Sequence, residues 1–186
     1  MVKSILKEIS NNFEKLSESH SKIEEASNLI IQSLTNGGKI MFCGNGGSAA
    51  DSQHLATELI GRYRNDRDPI AAIALTTDTS LITAISNDYS FEEIFSRQIN
   101  GLGNSGDILY AISTSGISKN IIRAITTANE KNIKIVGVTG STGGEMEGIC
   151  DVLIKVPSNR PDRIQEMHIA IGQIICEKIE NYFLLK

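Results

Sequence analysis

The sequence contains no tryptophan, three prolines and three cysteines, and it has no long uninterrupted hydrophobic run. Three cysteines without a C-x-x-C spacing argue against a disulfide framework and are typical of buried thiols in a reducing compartment. No apolar run approaches the roughly 20 residues that a membrane-spanning helix needs. The first residues lead into a charged amphipathic helix instead of the apolar segment of a signal peptide. We therefore expect a cytoplasmic protein that does not enter a membrane.

An excess of positive charge is also missing. The formal net charge is −4 and the isoelectric point is about 5.4, which argues against nonspecific binding to nucleic acid. Hydrophobic residues make up 40% of the 186 residues and charged residues 22%. These values are typical of a globular protein, and this length is enough for one domain with a core of its own. The sequence predicts a single domain over residues 1–186.

Apolar residues repeat with helical period through residues 1–36, and a polar stretch at 17–21 interrupts the pattern. Asn36-Gly37-Gly38 is typical of a helix C-cap. This N-terminal arm of one or two long amphipathic helices can fold back on its own sheet. At this length, a helix–helix interface with another subunit is at least as probable an arrangement.

Five strand-length apolar runs alternate with helical segments along the rest of the chain. They lie near 39–43, 70–75, 108–112, 133–138 and 152–156. This alternation predicts an α/β fold with a mostly parallel sheet, right-handed crossovers and helices on both faces. Ligands of such sheets bind at the carboxyl ends of the strands. A final helix beginning at Pro161 carries an apolar stripe from Ile164 to Ile179, for which we expect burial at an interface.

A glycine-rich turn follows the first strand, at Gly44 to Ser48. Its glycines let a ligand approach the backbone closely, and the N-terminus of the next helix would offer N–H groups to an anion or a polar sugar. Ser48, with Asp51 three residues later, resembles a capping box. A second such pattern, Ser90-x-x-Glu93, predicts a capped helix through about Ile99.

His54 and Glu58 are four residues apart and therefore lie on one face of the helix after the glycine turn. An imidazole and a carboxylate at this spacing suit a metal site and also acid/base catalysis. The run Gly44-x-Gly46-x-x-Ala49 satisfies the loose dinucleotide-binding pattern as well. With Asp78 near the end of the second strand, it leaves a nucleotide-dependent oxidoreductase as an alternative.

A second polar loop follows the third strand, where four hydroxyl groups and a glycine precede a helix. The hydroxyls belong to Ser113, Thr114, Ser115 and Ser118. Hydroxyl and backbone N–H donors at a helix N-terminus suit a phosphate group. The chain has no Gly-Lys-Ser/Thr, so this is not the loop of a P-loop NTPase. We expect Ser118 to cap the helix that runs to about Lys131.

Several of these stretches resemble the phosphoheptose isomerases, which are members of the sugar isomerase (SIS) domain superfamily. They are Cys-Gly-Asn-Gly-Gly-Ser at 43–48, His54-x-x-x-Glu58-Leu-x-Gly-Arg-Tyr-Arg, Asn87-Asp88, Ser113-Thr-Ser-Gly-x-Ser118 and Arg163-Ile-Gln165-Glu. The likeness covers nearly the whole chain in the same order. The Ser-Thr-Ser-Gly loop alone would indicate only the superfamily. The His/Glu pair and the Arg-Ile-Gln stretch narrow the resemblance to the phosphoheptose isomerases.

The resemblance implies an aldose–ketose isomerase that converts sedoheptulose 7-phosphate to D-glycero-D-manno-heptose 7-phosphate through an enediol. This is the first step towards the activated heptoses of lipopolysaccharide core or other surface polysaccharide. It also implies a SIS-type three-layer α/β/α sandwich with a five-stranded sheet and long amphipathic N- and C-terminal helices. One Zn²⁺ per subunit and a homotetramer with active sites between subunits are implied as well.

The site residues that the resemblance implies fall into three groups. The phosphorylated seven-carbon sugar would be bound at its hydroxyls by Asn45, Gly46, Gly47 and Ser48 and by Asn87 and Asp88. Its phosphate would be held by Ser113, Thr114, Ser115 and Ser118. Zinc would be bound by His54, Glu58 and Gln165, of which Glu58 and Gln165 also contact substrate. Glu58 would in addition be the base that transfers the proton.

The sequence departs from the family pattern at Gln173. The family has a second His there, eight residues after the Gln, as the fourth zinc ligand and the partner acid/base. A glutamine can coordinate a metal weakly through its carbonyl oxygen but cannot carry a proton at neutral pH. His168 lies five residues earlier, about 140° round the helix, and cannot simply substitute. We expect a weakened or metal-variable site with Glu58 in place. A non-catalytic relative that binds a replication initiator, or that senses a sugar phosphate, is the alternative.

Overall fold

A five-stranded parallel sheet forms the centre of the computed structural model, which describes residues 1–185. The strand order is β2-β1-β3-β4-β5, and every neighbouring pair is parallel. The strands are β1 (Ile40–Gly44), β2 (Ala72–Ala74), β3 (Ile108–Ile112), β4 (Lys134–Thr139) and β5 (Val152–Lys155). The predicted α/β class and the five-stranded sheet are confirmed.

Seven helices flank this sheet. They are α1 (Val2–Leu16), α2 (His20–Thr35), α3 (Gly47–Ile60), α4 (Thr79–Asp88), α5 (Ser96–Leu102), α6 (Lys119–Glu130) and α7 (Pro161–Leu184). Single 3₁₀ turns lie at Ser17–Ser19, Phe91–Glu93 and Gly144–Met146. No helix within residues 1–185 is both long and apolar enough to cross a membrane.

The central strands are buried on both faces, and alternate side chains enter two separate cores. Ile40 and Tyr110 enter one core, which is closed by apolar side chains of α2, α3 and α7. Met41 and Leu109 enter the other, which is closed by α5 and α6. Helices on both faces of the sheet give the three layers that the sequence predicts.

The second strand is shorter than the predicted run at 70–75. It occupies Ala72–Ala74, at the edge of the sheet, and pairs with β1 alone. Ile73 is 37% exposed there. The apolar run thus predicts the position of this strand, but a strand with one neighbour has fewer ladder hydrogen bonds to extend it.

The N-terminal arm folds back on its own chain and also leaves an apolar surface. A 3₁₀ turn separates α1 from α2, which explains the break in the hydrophobic pattern. In α2, Ile23, Ala26 and Ile30 are buried in the core with α7. On α1, Leu6 is 60% exposed and Phe13 is 37% exposed.

The apolar stripe of α7 is buried within the chain's own core. Ile164, Met167, Ile171 and Ile179 are at most 2% exposed. The single chain thus accounts for the burial of these four residues, whereas Ile174 on the same helix is 43% exposed, and an interface with another subunit at α7 stays a prediction. The long apolar pattern indicates burial correctly, but the surface that buries it is the chain's own sheet.

Two of the predicted helix caps are wrong. Gly46 is the N-cap of α3, and Ser48 lies inside the helix without a capping hydrogen bond. Ser90 makes no capping hydrogen bond either, because the Glu93 carboxylate accepts a hydrogen bond from the Ser96 hydroxyl instead. By contrast, the Asp78 carboxylate accepts the N–H of Leu81 at 2.9 Å and caps α4. This cap gives Asp78 a structural role, so its presence after the second strand does not require a nucleotide-binding site.

Candidate active site

The two polar loops lie side by side at the carboxyl edge of the sheet. The glycine-rich loop follows β1 and the hydroxyl loop follows β3, and Gly44 is in register with Ile112 at the ends of these neighbouring strands. Parallel strands bring the loops to the same edge, where ligands of α/β sheets bind. The topology therefore brings together two stretches that are more than sixty residues apart in the sequence.

The glycine-rich loop leads directly into α3 and contacts the beginning of α7. A Cβ atom at Gly47 would lie 2.9 Å from Nε2 of Gln165, which is closer than side chains normally pack. The contact is with the end of a flexible side chain, so it shows that the Gln165 amide lies against the backbone of the glycine-rich loop. Asn45 pairs through its side-chain amide with Asn120 on α6, a residue to which the sequence analysis gave no role.

The side chains of His54, Glu58 and Gln173 meet between α3 and α7. Nε2 of His54 lies 2.8 Å from Oε1 of Glu58, and Nε2 of Gln173 lies 3.0 Å from the same His54 nitrogen. The distance from the Gln173 nitrogen to Oε1 of Glu58 is 3.3 Å. The His54 side chain is 52% exposed and that of Glu58 is 19% exposed. We call these three residues the α3–α7 cluster.

Hydrogen bonds alone cannot satisfy all three atoms of the α3–α7 cluster. If His54 donates its Nε2–H to Glu58, that nitrogen has no lone pair for the Gln173 amide N–H. If the Gln173 amide is turned over, its oxygen faces His54 favourably but opposes the Glu58 oxygen. A cation at the centre would accept the lone pairs of the imidazole, the carboxylate and the amide oxygen together.

The three atoms lie somewhat closer together than the ligands of one metal ion. Donor atoms bonded to one tetrahedral zinc at about 2.0–2.2 Å lie roughly 3.3–3.6 Å apart, whereas these atoms lie 2.8–3.3 Å apart and one of them is the Gln173 amide nitrogen. To hold zinc, the side chains would have to separate slightly and the Gln173 amide would have to turn its oxygen inward. Within residues 1–185, no group of three or more His, Cys, Asp or Glu side chains is arranged to hold a metal ion. A metal at the α3–α7 cluster would therefore need an amide oxygen among its ligands.

Gln165 lies apart from the other three predicted zinc ligands. It is on the second turn of α7, against Gly47, and Gln173 is eight residues later, about 12 Å along the helix axis. The structure thus brings His54, Glu58 and Gln173 together and places Gln165 at the glycine-rich loop. In this position the Gln165 amide is available to a sugar, and it would have to swing along α7 to reach the same metal.

The hydroxyl loop is shaped by hydrogen bonds between its own residues. The Ser113 hydroxyl lies 3.2 Å from that of Ser118 and accepts the Gly116 N–H at 3.1 Å. The Ser115 hydroxyl accepts the N–H of Ile117 at 3.3 Å. Ser118 is the N-cap residue of α6 by position, but its side chain makes no capping bond. The helix N-terminus therefore keeps N–H groups that a phosphate could use.

The loop after β4 packs against the hydroxyl loop and forms backbone hydrogen bonds with it. A Cβ atom at Gly116, where φ is 69°, would collide with the carbonyl oxygen of Gly143. The carbonyl oxygen of Gly116 accepts the N–H of Glu145 at 2.9 Å, and that of Thr114 accepts the N–H of Gly140 at 3.1 Å. The backbone of the hydroxyl loop is thus fixed on both sides.

Asn87 and Asp88 are exposed on the last turn of α4. Among the described residues, their side-chain hydrogen bond joins them to each other, from Nδ2 of Asn87 to Oδ1 of Asp88 at 2.9 Å. The helix α4 runs through both residues. The single chain does not bring them into the hydrogen-bonded network of the two loops.

Two further titratable residues, Asp51 and His168, lie on the helices that carry the α3–α7 cluster. Asp51 is one turn before His54, and burial raises its pKa while the charge of His54 opposes that rise. The sequence analysis assigned Asp51 to a cap, although its spacing of three from His54 placed it beside the pair. His168 is 1% exposed in the core, and burial lowers its pKa to about 4. It is neutral at pH 7 and does not belong to the cluster.

Comparison with known proteins gives consistent similarities over almost the whole chain. The SIS domain model matches residues 5–140. The phosphoheptose isomerase of Rhodospirillum rubrum is 51% identical over 169 residues, which cover 91% of this chain and 90% of that protein.

Two solved structures have nearly the same fold. The phosphoheptose isomerase GmhA from Neisseria gonorrhoeae is 42% identical with a TM-score of 0.92, and 97% of each chain is covered. A phosphoheptose isomerase from Francisella tularensis is 35% identical with a TM-score of 0.94, and the match covers 97% of this chain and 96% of that one.

Proposed function

The chain belongs to the phosphoheptose isomerase family of SIS-domain proteins, and on that premise we propose that it interconverts sedoheptulose 7-phosphate and D-glycero-D-manno-heptose 7-phosphate. The observation that carries the proposal is the meeting of Glu58 with His54 and Gln173 between α7 and α3, the helix that leads out of the glycine-rich loop. A partly exposed carboxylate at this place is accessible to a bound sugar and can exchange a proton with it.

Glu58 is the residue for the chemical step. The isomerisation removes one proton from C1 of the ketose and returns it to C2 through an enediol, so a single carboxylate can take it and give it back. The hydroxyl loop would hold the phosphate at C7, far from the reacting carbons, and so orient the sugar. The glycine-rich loop and Gln165, which contact each other at Gly47, would bind the sugar hydroxyls.

His54, Glu58 and the amide oxygen of Gln173 would hold a zinc ion, and Gln165 would complete the set after a change of rotamer. Bound zinc supplies positive charge that stabilises the oxygen anion developing beside the reacting carbons. Because Gln173 is a weaker donor than histidine and carries no proton, zinc would be bound less tightly here than at a site with histidine. The proton on the sugar oxygens would then pass through solvent.

The non-catalytic alternative is not favoured, because the relatives with about half of their residues identical are phosphoheptose isomerases. The nucleotide-dependent alternative is not favoured either, because Asp78, the acidic residue that it requires near the end of the second strand, caps α4. The exposed apolar side chains of α1, such as Leu6 and Phe13, support a homotetramer, which would bring Asn87 and Asp88 to a neighbouring site. An intracellular location and a product used for activated heptoses stay predictions.

The test is turnover of sedoheptulose 7-phosphate, followed by NMR, on protein whose metal content has been determined. We expect turnover that rises when zinc is added and falls with a chelator. Turnover unaffected by zinc or chelator would remove the metal from the proposal. Sugar phosphate that binds without turnover would overturn the isomerase and favour a binding protein.

A further inference from the structure

Asn45 and Asn120 form a closed pair of side-chain amides. Nδ2 of Asn45 donates to Oδ1 of Asn120 at 2.9 Å, and Nδ2 of Asn120 donates to Oδ1 of Asn45 at 2.8 Å. Asn120 is 3% exposed. Two reciprocal hydrogen bonds fix both the distance and the angle between the amide planes, which a single hydrogen bond would not.

The pair connects the two loops of the candidate active site. Asn45 is the first residue after β1 and precedes Gly46, the N-cap of α3. Asn120 is the second residue of α6, whose N-cap is Ser118 of the hydroxyl loop. Since α3 carries His54 and Glu58, the pair links the helix of the reacting groups to the loop proposed for the phosphate.

Each amide keeps part of its hydrogen-bonding capacity. An amide nitrogen has two donors, and the pair uses one of them on each side. Asn45 is only partly buried, so its second N–H is free to meet a sugar hydroxyl, and Asn120 holds it in one direction. Such a donor needs no reordering when the substrate binds.

We propose that Asn120 is a positioning residue for the isomerisation: through Asn45 it fixes the glycine-rich loop and α3 at a set distance from the phosphate-binding loop. This inference rests on the proposed function. The substrate is held at its phosphate and reacts at the other end, so a shift between the loops moves C1 and C2 relative to Glu58. The chemical step suffers from such a shift more than phosphate binding does.

Three variants test the role of Asn120. Asn120→Ala removes the pair, and Asn129→Ala is the matched control, because Asn129 is an exposed residue of the same helix that donates one hydrogen bond to Ile149. We expect Asn120→Ala to lower kcat about 10- to 100-fold while KM changes less than about threefold, because the phosphate contacts remain. Asn129→Ala should match the wild type.

Asn120→Asp adds a readout that loss of packing would not give. An ionised Asp accepts from Asn45 but sets its second oxygen against the Asn45 oxygen, whereas a protonated Asp donates to it and restores the pair. The kcat of Asn120→Asp relative to wild type should therefore rise as the pH falls. The same ratio for Asn120→Ala should stay flat.

Exchange of the Ser48 amide hydrogen, followed by NMR in the free protein, tests the pair without any assumption about turnover. This N–H donates to the carbonyl oxygen of Asn45 at 3.0 Å, and Asn120→Ala should speed its exchange about tenfold through loss of two hydrogen bonds. If the wild type does not isomerise the sugar, the proposed function fails. The exchange rates still show whether the Asn45–Asn120 pair holds the glycine-rich loop. Exchange and kcat equal to those of Asn129→Ala would overturn the inference.

Discussion

The helix α7 contributes to two polar clusters, about two turns apart, that differ in how completely they are satisfied. Near Gln173, the α3–α7 cluster is partly exposed. Its imidazole, carboxylate and amide groups cannot all form favourable hydrogen bonds with one another. Further along, Glu180 is 1% exposed and accepts hydrogen bonds from the backbone N–H groups of Tyr63, Arg64 and Asn65. The first arrangement is suited to binding a ligand and the second to holding a loop.

The Glu180 cluster stabilises the end of α3 through Arg67. Nε of Arg67 lies 3.4 Å from Oε1 of Glu180, and both side chains are at most 5% exposed. The guanidinium also donates to the carbonyl oxygens of Glu58 and Leu59, at 2.8 Å each. These bonds lie at the end of α3, whose last residue is Ile60. The same kind of side chain, a glutamate, thus serves chemistry in one cluster and structure in the other.

Removing the carboxylate from the first cluster should have the largest effect. We expect Glu58→Gln to lower kcat by about 10³-fold, because proton transfer by a positioned carboxylate contributes about 10²–10⁴-fold. The free energy of unfolding should change by less than about 0.5 kcal/mol. Steady-state kinetics and urea denaturation measure the two effects. A residual kcat above one tenth of the wild type would mean that another group is the base.

The same substitution in the second cluster should have the opposite result. Glu180→Gln leaves the buried Arg67 without its counter-charge, and we expect it to lower the free energy of unfolding by about 3 kcal/mol or more. Its kcat, measured at a temperature where the variant is folded, should stay near the wild-type value. A loss below about 1 kcal/mol in urea denaturation would show that the cluster does not stabilise the loop.

Restoring a stronger ligand to the first cluster should have a smaller effect. Gln173→His supplies an imidazole, a common zinc ligand, and we expect zinc affinity to rise about tenfold or more, by analogy with the 10–100-fold effects of ligand surroundings. Turnover at limiting zinc should rise as well. A competition titration with a zinc chelator measures the affinity, with Gln32→His as an exposed control. Unchanged affinity would show that Gln173 does not contact the metal.

The smallest effect is the pH dependence of the second cluster. Burial alone would raise the pKa of Glu180, but hydrogen bonds from Asn65 and from backbone N–H groups outweigh it and hold the pKa below its ordinary value of 4.5. A lowered folded-state pKa stabilises the protein above the unfolded value, and this stability is lost as the pH falls through the folded value.

Urea denaturation of the wild type and Glu180→Gln at several pH values measures this effect. The difference between their free energies of unfolding should be constant near neutral pH and shrink below pH 4.5. A difference that grows in acid would contradict the lowered pKa.

Most of the fold and about half of the site arrangement follow from the sequence. Buried strands such as β3 are predicted within a residue because an apolar run between turn residues has few alternatives. The polar loops are placed correctly because parallel strands must end at one edge. The caps at Ser48 and Ser90 are wrong because short polar side chains have several nearby partners, and only the packed chain decides among them.

The sequence by itself determined the α/β class, the family, and the four-residue spacing that puts His54 and Glu58 on one helix face, since these depend on local periodicity and on residue identity along the chain. The tertiary structure alone decided that Gln165, which the sequence analysis grouped with Gln173 at one metal, lies at the glycine-rich loop instead. It also paired Asn45 with Asn120, and Glu180 with the loop after α3. These contacts join residues at least 75 positions apart. The distances in these contacts depend on how the helices pack, and no local sequence pattern specifies that packing.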